Sequence, residues 1–194
     1  MKIPATILVR RSLRVGGVIT ALLVPAITFA QQNFGTRTGE VSFSSAAPLE
    51  NIDAVNHAAA AVFNVTTGDV EVSMLMKAFE FEKALMQEHF NENYVESGTY
   101  PKGVLKGKVT GFAEADLKKP GKHPATVDGD LTIHGVTQRI TPKVTITVAA
   151  DGALSVASDF IVKPEDYKII IPAVVRGHIA QEVKVKVRLE VKKL

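Results

Sequence analysis

The sequence contains no cysteine and no tryptophan, and only 6% of its residues are aromatic. Without thiols there is no disulfide framework, no thiolate metal site, no nucleophilic cysteine and no acylation site for a lipoprotein anchor. A domain exported from the cytosol would have to be held by its core alone. A long hydrophobic run is also missing. Val15 to Phe29 carries no charge, but it is only about 15 residues long and contains Pro25, short of the roughly 18–20 residues that span a bilayer. Net charge is small as well. The formal value is +3, and Lys2, Arg10, Arg11 and Arg14, with no acid among the first 30 residues, supply more than all of it. The rest of the chain is close to neutral, so nucleic acid is not an expected partner. Nucleophile-elbow, phosphate-loop and dinucleotide-binding fingerprints are absent too.

What the first 30 residues do contain has the order of an export signal. A basic start is followed by the uncharged stretch, and Thr28-Phe29-Ala30 then fits the small-x-small pattern before a cleavage site. The expectation is a signal peptide over residues 1–30, a new N-terminus at Gln31 and a single domain over 31–194, periplasmic or secreted, with no stable membrane span after cleavage. Ordinary Sec export fits better than twin-arginine export, because Arg14 stands where the latter prefers an apolar residue.

Beyond that segment the dominant period is two. Val183-Lys184-Val185-Lys186-Val187-Arg188-Leu189-Glu190-Val191 alternates apolar and charged residues, which makes a strand with one dry and one wet face. Val144 to Val148 repeats the pattern with threonines outside, as part of a strand from Ile140 to Val148. Val127, Gly129, Leu131 and Ile133 share one face of another strand, and Val70, Val72, Met74 and Met76 one of a third. Thr67-Gly68-Asp69, Asp151-Gly152 and His134-Gly135 are turn signals between such runs. About eight strands, each with one dry face, predict a sandwich or a closed barrel. Phe81 to Tyr94 breaks the rhythm. Met86, Phe90 and Tyr94 recur every four residues with Leu85 beside them, predicting a helix over about 82–94 that stops before Pro101.

Three segments occur in a familiar order: Leu85 to Pro101 with its Tyr100-Pro101 turn, Leu105-Lys106-Gly107-Lys108-Val109, and Gly129-Asp130-Leu131-Thr132-Ile133-His134-Gly135-Val136-Thr137. Together they resemble the YceI-like family. The chain departs from that family's pattern at Glu80-Phe81-Glu82-Lys83, where many members carry an Arg-Asp pair, and at Asp159-Phe160-Ile161-Val162. The resemblance implies an all-β fold, an antiparallel eight-stranded lipocalin-like barrel capped by the one helix. It also implies a binding or carrier protein, not an enzyme, for a long apolar isoprenoid-type lipid. A bound polyisoprenoid or isoprenoid quinone would then be the only non-protein group, with no further cofactor and no metal.

An apolar tail gains affinity mainly from hydrocarbon area removed from water, so the candidate ligand-binding residues are the inward apolar ones. On the strands these are Phe43, Phe63, Val72, Met74, Met76, Leu131, Ile133, Ile146, Phe160 and Val185, with Val144, Val156 and Val187 beside them. Phe79, Phe81, Leu85, Met86, Phe90 and Tyr94 form a candidate lid. The same residues could instead fill the barrel, which would make the protein a filled-barrel structural or stress-response interaction protein without a lipid. His57, His89, His123, His134 and His178 show no local metal-ligand spacing. His134, in a turn, is suited to satisfying a buried carbonyl or touching a polar headgroup. Convergence of His134 with Glu114 and Asp116 would instead point to catalysis. The pattern leaves room for a homodimer.

Overall fold

The computed structural model describes residues 32–194; the expected signal segment lies outside the described residues. Ten strands run in chain order: β1 (Asn33–Ala46), β2 (Asn51–Asn64), β3 (Asp69–Leu75), β4 (Glu80–Phe81), β5 (Lys102–Thr110), β6 (Gly121–Ile133), β7 (Val136–Ile140), β8 (Lys143–Val148), β9 (Leu154–Val162) and β10 (Val183–Lys193). Eight of them form an antiparallel ring in the order β1-β10-β9-β8-β6-β5-β3-β2, which β1–β2 pairing closes. Closure removes the exposed edges through which open sheets aggregate. The sequence-based expectation of an eight-stranded barrel is met.

Alternation decides which way each strand faces. Along β10, Val183, Val185, Val187, Leu189 and Val191 point inward, while Lys184, Lys186, Arg188 and Glu190 are exposed. Outside, opposite charges sit on neighbouring strands, as with Lys106 and Glu71 at 3.3 Å, Arg188 and Asp159 at 3.3 Å, and Arg139 and Asp128 at 2.7 Å. Exposed pairs of this kind add little stability; they keep the outer wall wet.

The turn at His134-Gly135 has φ of 51° and 71°, the two left-handed positions of a type I′ hairpin turn. A Cβ at Gly135 would lie 2.5 Å from the Tyr100 ring, so both backbone and space require glycine there. The strand expected from Ile140 to Val148 is in fact two. Pro142 has no N–H for the ladder, and its carbonyl instead accepts from Val127 at 3.0 Å. The chain breaks there into β7 and β8, which pair with opposite halves of the long β6.

The helix starts later than its periodicity suggests. Phe81 belongs to β4, opposite Ala54 of β2, and its N–H is taken by Gln87 Oε1 at 3.3 Å. Sheet pairing therefore wins over helical spacing at this end. Helix α1 covers Ala84–His89 and widens into a π turn over Phe90–Tyr94, where Val95 N–H reaches back to the Phe90 carbonyl.

Asn56 is the larger of the wholly enclosed polar side chains among the described residues. It is 0% exposed and sits where β2 shifts register against β1, between the part of β2 that pairs with β4 and the part that pairs with β3. Its amide donates to the Leu75 carbonyl and its oxygen accepts from Ala58 N–H, both at 2.9 Å. It thereby satisfies the backbone groups that the bulge frees. Asn56→Leu is expected to cost about 1–3 kcal/mol for each group left unpaired, seen as a lower urea midpoint at unchanged m-value; an unchanged midpoint would show that water replaces the amide.

Candidate lipid site in the barrel lumen

The lumen is not filled evenly. At the end where β8 meets β9, Ile146 and Leu154 are each 1% exposed and Val148 2%, and they pack with Phe63, Phe112 and Val191 into a closed floor. Toward the other end a second, smaller cluster of Val41, Met76, Phe79 and Val95 is buried, but many inward residues around it, among them Phe43, Met74, Ile133 and Val185, are only half-buried. β10 shows the gradient in one strand: Leu189 and Val191 are buried, while Val183, Val185 and Val187 are not. The part-exposed inward faces border a cavity of about 570 Å³, a size typical of small-molecule sites.

Phe43, Phe63, Val72, Met74, Leu131, Ile133, Ile146, Phe160 and Val185 contribute to its wall, together with Val144, Val156 and Val187. Met76, Phe79, Phe81, Leu85, Met86, Phe90 and Tyr94 line it from the α1 side. The structure thus brings the two groups singled out from sequence to one space. Phe43, Phe79, Phe81 and Phe90 interlock there, with ring centroids 5.1–5.8 Å apart in tilted, edge-on and stacked arrangements, as aromatic quadrupoles favour. No residue of α1 is buried, and Leu85 is 62% exposed although it borders the cavity. Burial also pushes the Tyr94 hydroxyl above its usual range.

Sequence reasoning missed the third part of the wall. The long connection between β9 and β10 folds over the open end, and Ile169, Ile171, Val175 and Ile179 face the cavity from it. It carries no strand or helix period that would have flagged it. Its neighbouring residues Ile170 and Val174 are 81% and 87% exposed. Two contacts tether its start to the β6–β7 hairpin: His134 Nδ1 donates to the Tyr167 carbonyl at 3.0 Å, and Gln138 donates to the Asp166 carbonyl at 2.6 Å. The other ring nitrogen of His134 faces Glu96 at 3.3 Å. Of the two roles open to His134, it therefore takes that of satisfying a buried carbonyl. It does not meet Glu114 and Asp116. Those two flank the opposite end of β6, where Glu114 binds Thr66 and Asp116 binds Lys119.

The polar residues of the mouth were missed as well, because they are far apart in sequence. Lys83 Nζ lies 2.9 Å from Glu50 Oε1, and His178 Nδ1 lies 3.5 Å from Glu50 Oε2. The Lys83 hydrogen bond holds the Glu50 carboxyl below its usual range and raises Lys83 in turn. A carboxylate with a lowered folded-state pKa contributes its tie above the ordinary carboxylate value and loses it as pH falls through the lowered one. Hydrogen-exchange protection over Ala84–Tyr94 is therefore expected to be modestly greater near neutrality than below the ordinary carboxylate range, while β8 and β9 stay protected throughout. Equal loss in all three would assign the acid response to the whole barrel.

A YceI-like domain model matches residues 24–191 of the chain. The chain belongs to the YceI-like family. Among solved structures it is similar to a polyisoprenoid-binding domain from Saccharophagus degradans implicated in plant cell wall breakdown, with a TM-score of 0.72, 13% identity, and coverage of 85% of this chain and 100% of the other. BcnA from Burkholderia cenocepacia gives 0.65 and 16% identity over 79% of this chain and 96% of its own. A YceI protein from Campylobacter jejuni gives 0.52 and 15% over 94% and 93%. At such identities the likeness establishes the shared barrel alone. No curated protein is a match. Within the YceI-like barrel of this chain, no described helix is long and apolar enough to cross a membrane.

Proposed function

We propose that this protein is a periplasmic or secreted carrier that holds a long apolar isoprenoid-type lipid inside the barrel. The observation that carries the reading is the unevenly filled lumen: a packed floor below a hydrocarbon-walled cavity of about 570 Å³. A barrel built only for stability would gain from filling that space, since voids forfeit dispersion contacts. Flexible Met74 and Met76 in the wall suit an irregular guest. The Saccharophagus degradans domain of the same fold is described as polyisoprenoid-binding. The reading is of binding and not of catalysis, with the lipid as the only non-protein group.

Export fits this role, and the signal segment over residues 1–30 is part of the proposal. Protein recovered from a bacterial periplasm is expected to begin at Gln31 on N-terminal sequencing. Purified without detergent, it is expected to show an added mass in native mass spectrometry that organic extraction removes and that fragments as an isoprenoid. A barrel of bare polypeptide mass, which takes up no added isoprenoid alcohol, would overturn the carrier reading in favour of a structural or interaction role.

A further inference from the structure

The carrier reading leaves open where the polar end of the guest sits and what kind of end it is. The cavity wall is hydrocarbon almost throughout. The described residues place one carboxylate and one ammonium in it, those of Glu50 and Lys83, with the imidazole of His178 beside them. The three come from three different mouth segments: the β1–β2 loop, the residue that precedes α1, and the β9–β10 connection. Each oxygen of Glu50 has its own partner, Lys83 on Oε1 and His178 on Oε2. Glu50 is 27% exposed, Lys83 62% and His178 46%, so the cluster stands at the water boundary of the cavity and not in its depth. A chain lying in the lumen with its apolar end toward the closed floor brings its other end to this boundary.

The geometry points to Glu50, Lys83 and His178 as the polar-end site of the cavity, charge-balanced so that it takes an uncharged hydrogen-bonding terminus, a hydroxyl or carbonyl, in preference to a diphosphate. This rests on the carrier reading. The lysine ammonium has three N–H donors and spends one on Glu50, so it retains donors for a neutral oxygen without giving up its ion pair. A diphosphate meets a different situation. It can reach the same free donors of Lys83, but there its own negative charge lies against the Glu50 carboxylate that already neutralises the lysine. Like charges brought together at a binding site weaken association strongly. His89 and Tyr94, the other ionisable groups of the lining, bring no second lysine or arginine to offset that.

The test compares two probes that share one chain, geranylgeraniol and geranylgeranyl diphosphate, titrated into the purified protein and into two variants. Wild type is expected to prefer the alcohol by about tenfold or more. Glu50→Gln is isosteric and removes the balancing charge. It is expected to tighten diphosphate binding by about tenfold and leave the alcohol within roughly twofold. Lys83→Met is expected to weaken the diphosphate further. Binding of both probes with a ratio that Glu50→Gln leaves unchanged would overturn the polar-end site while the carrier reading stands. Failure of both probes to bind wild type would overturn the carrier reading and this site with it.

Discussion

Met74→Trp combined with Ile133→Trp is expected to weaken isoprenoid binding on the order of 100-fold while the protein melts within roughly 3 °C of wild type. Both positions point inward and are half-buried, and both border the cavity. One side of each packs against the cluster of Val41, Met76 and Phe79, and their remaining exposed surface faces the lumen. Two indole rings would occupy the guest's space without displacing protein atoms. A filled core responds in the opposite way. Overpacking costs about 1–3 kcal/mol per site, and each kcal/mol lowers the melting point of a domain this size by about 2–4 °C. Calorimetry with a binding titration separates the two. A clear fall in melting temperature, with no change in what the protein binds, would assign Met74 and Ile133 to the core.

Leu154→Ala probes the other end of the same lumen and is expected to act in the opposite sense. Leu154 is 1% exposed, lies opposite Val148 and Val191 in the sheet, and belongs to the floor cluster. Truncating a leucine in so enclosed a place costs about 2–5 kcal/mol, because the lost transfer energy is joined by a cavity that does not collapse. The melting point should fall by roughly 5–15 °C, with binding of the isoprenoid retained below the transition. Leu105→Ala offers the contrast. Leu105 is inward but half-buried beside the cavity, so its truncation should cost clearly less. Equal losses at the two leucines would mean that the lumen is packed alike from end to end.

These two experiments divide the barrel along a line the sequence does not draw. Val183 to Val191 reads as one uniform alternating strand, and inward direction follows from the period alone. Packing depth does not, because whether Val185 meets another side chain or a void depends on strands far off in the chain. The turns at Gly68, His134-Gly135 and Gly152 were legible because left-handed backbone leaves a residue signature. The helix was legible in its second half, where the stripe of Met86, Phe90 and Tyr94 persists. Its start was not, because Phe81 answers to a partner on β2. Pro142 marks the break between β7 and β8 plainly, yet the apolar alternation on either side hid it.

The candidate wall was readable to the extent that it is made of strands and of α1. The β9–β10 connection escaped because irregular segments leave no period, although Ile169, Ile171, Val175 and Ile179 are apolar enough to draw notice. The Glu50, Lys83 and His178 cluster lay beyond reach altogether. Three polar residues in three separate segments become a site only once the barrel closes and carries its loops to one end.

Affinity as a function of guest length tests the central claim most directly. Isoprenoid alcohols lengthened one unit at a time should bind the purified protein more tightly by roughly tenfold or more per unit while hydrocarbon is still entering the lumen. The gain should stop once the space above the floor is full. Affinity that ignores chain length, or no binding at any length, would contradict a vacant apolar lumen as the seat of function.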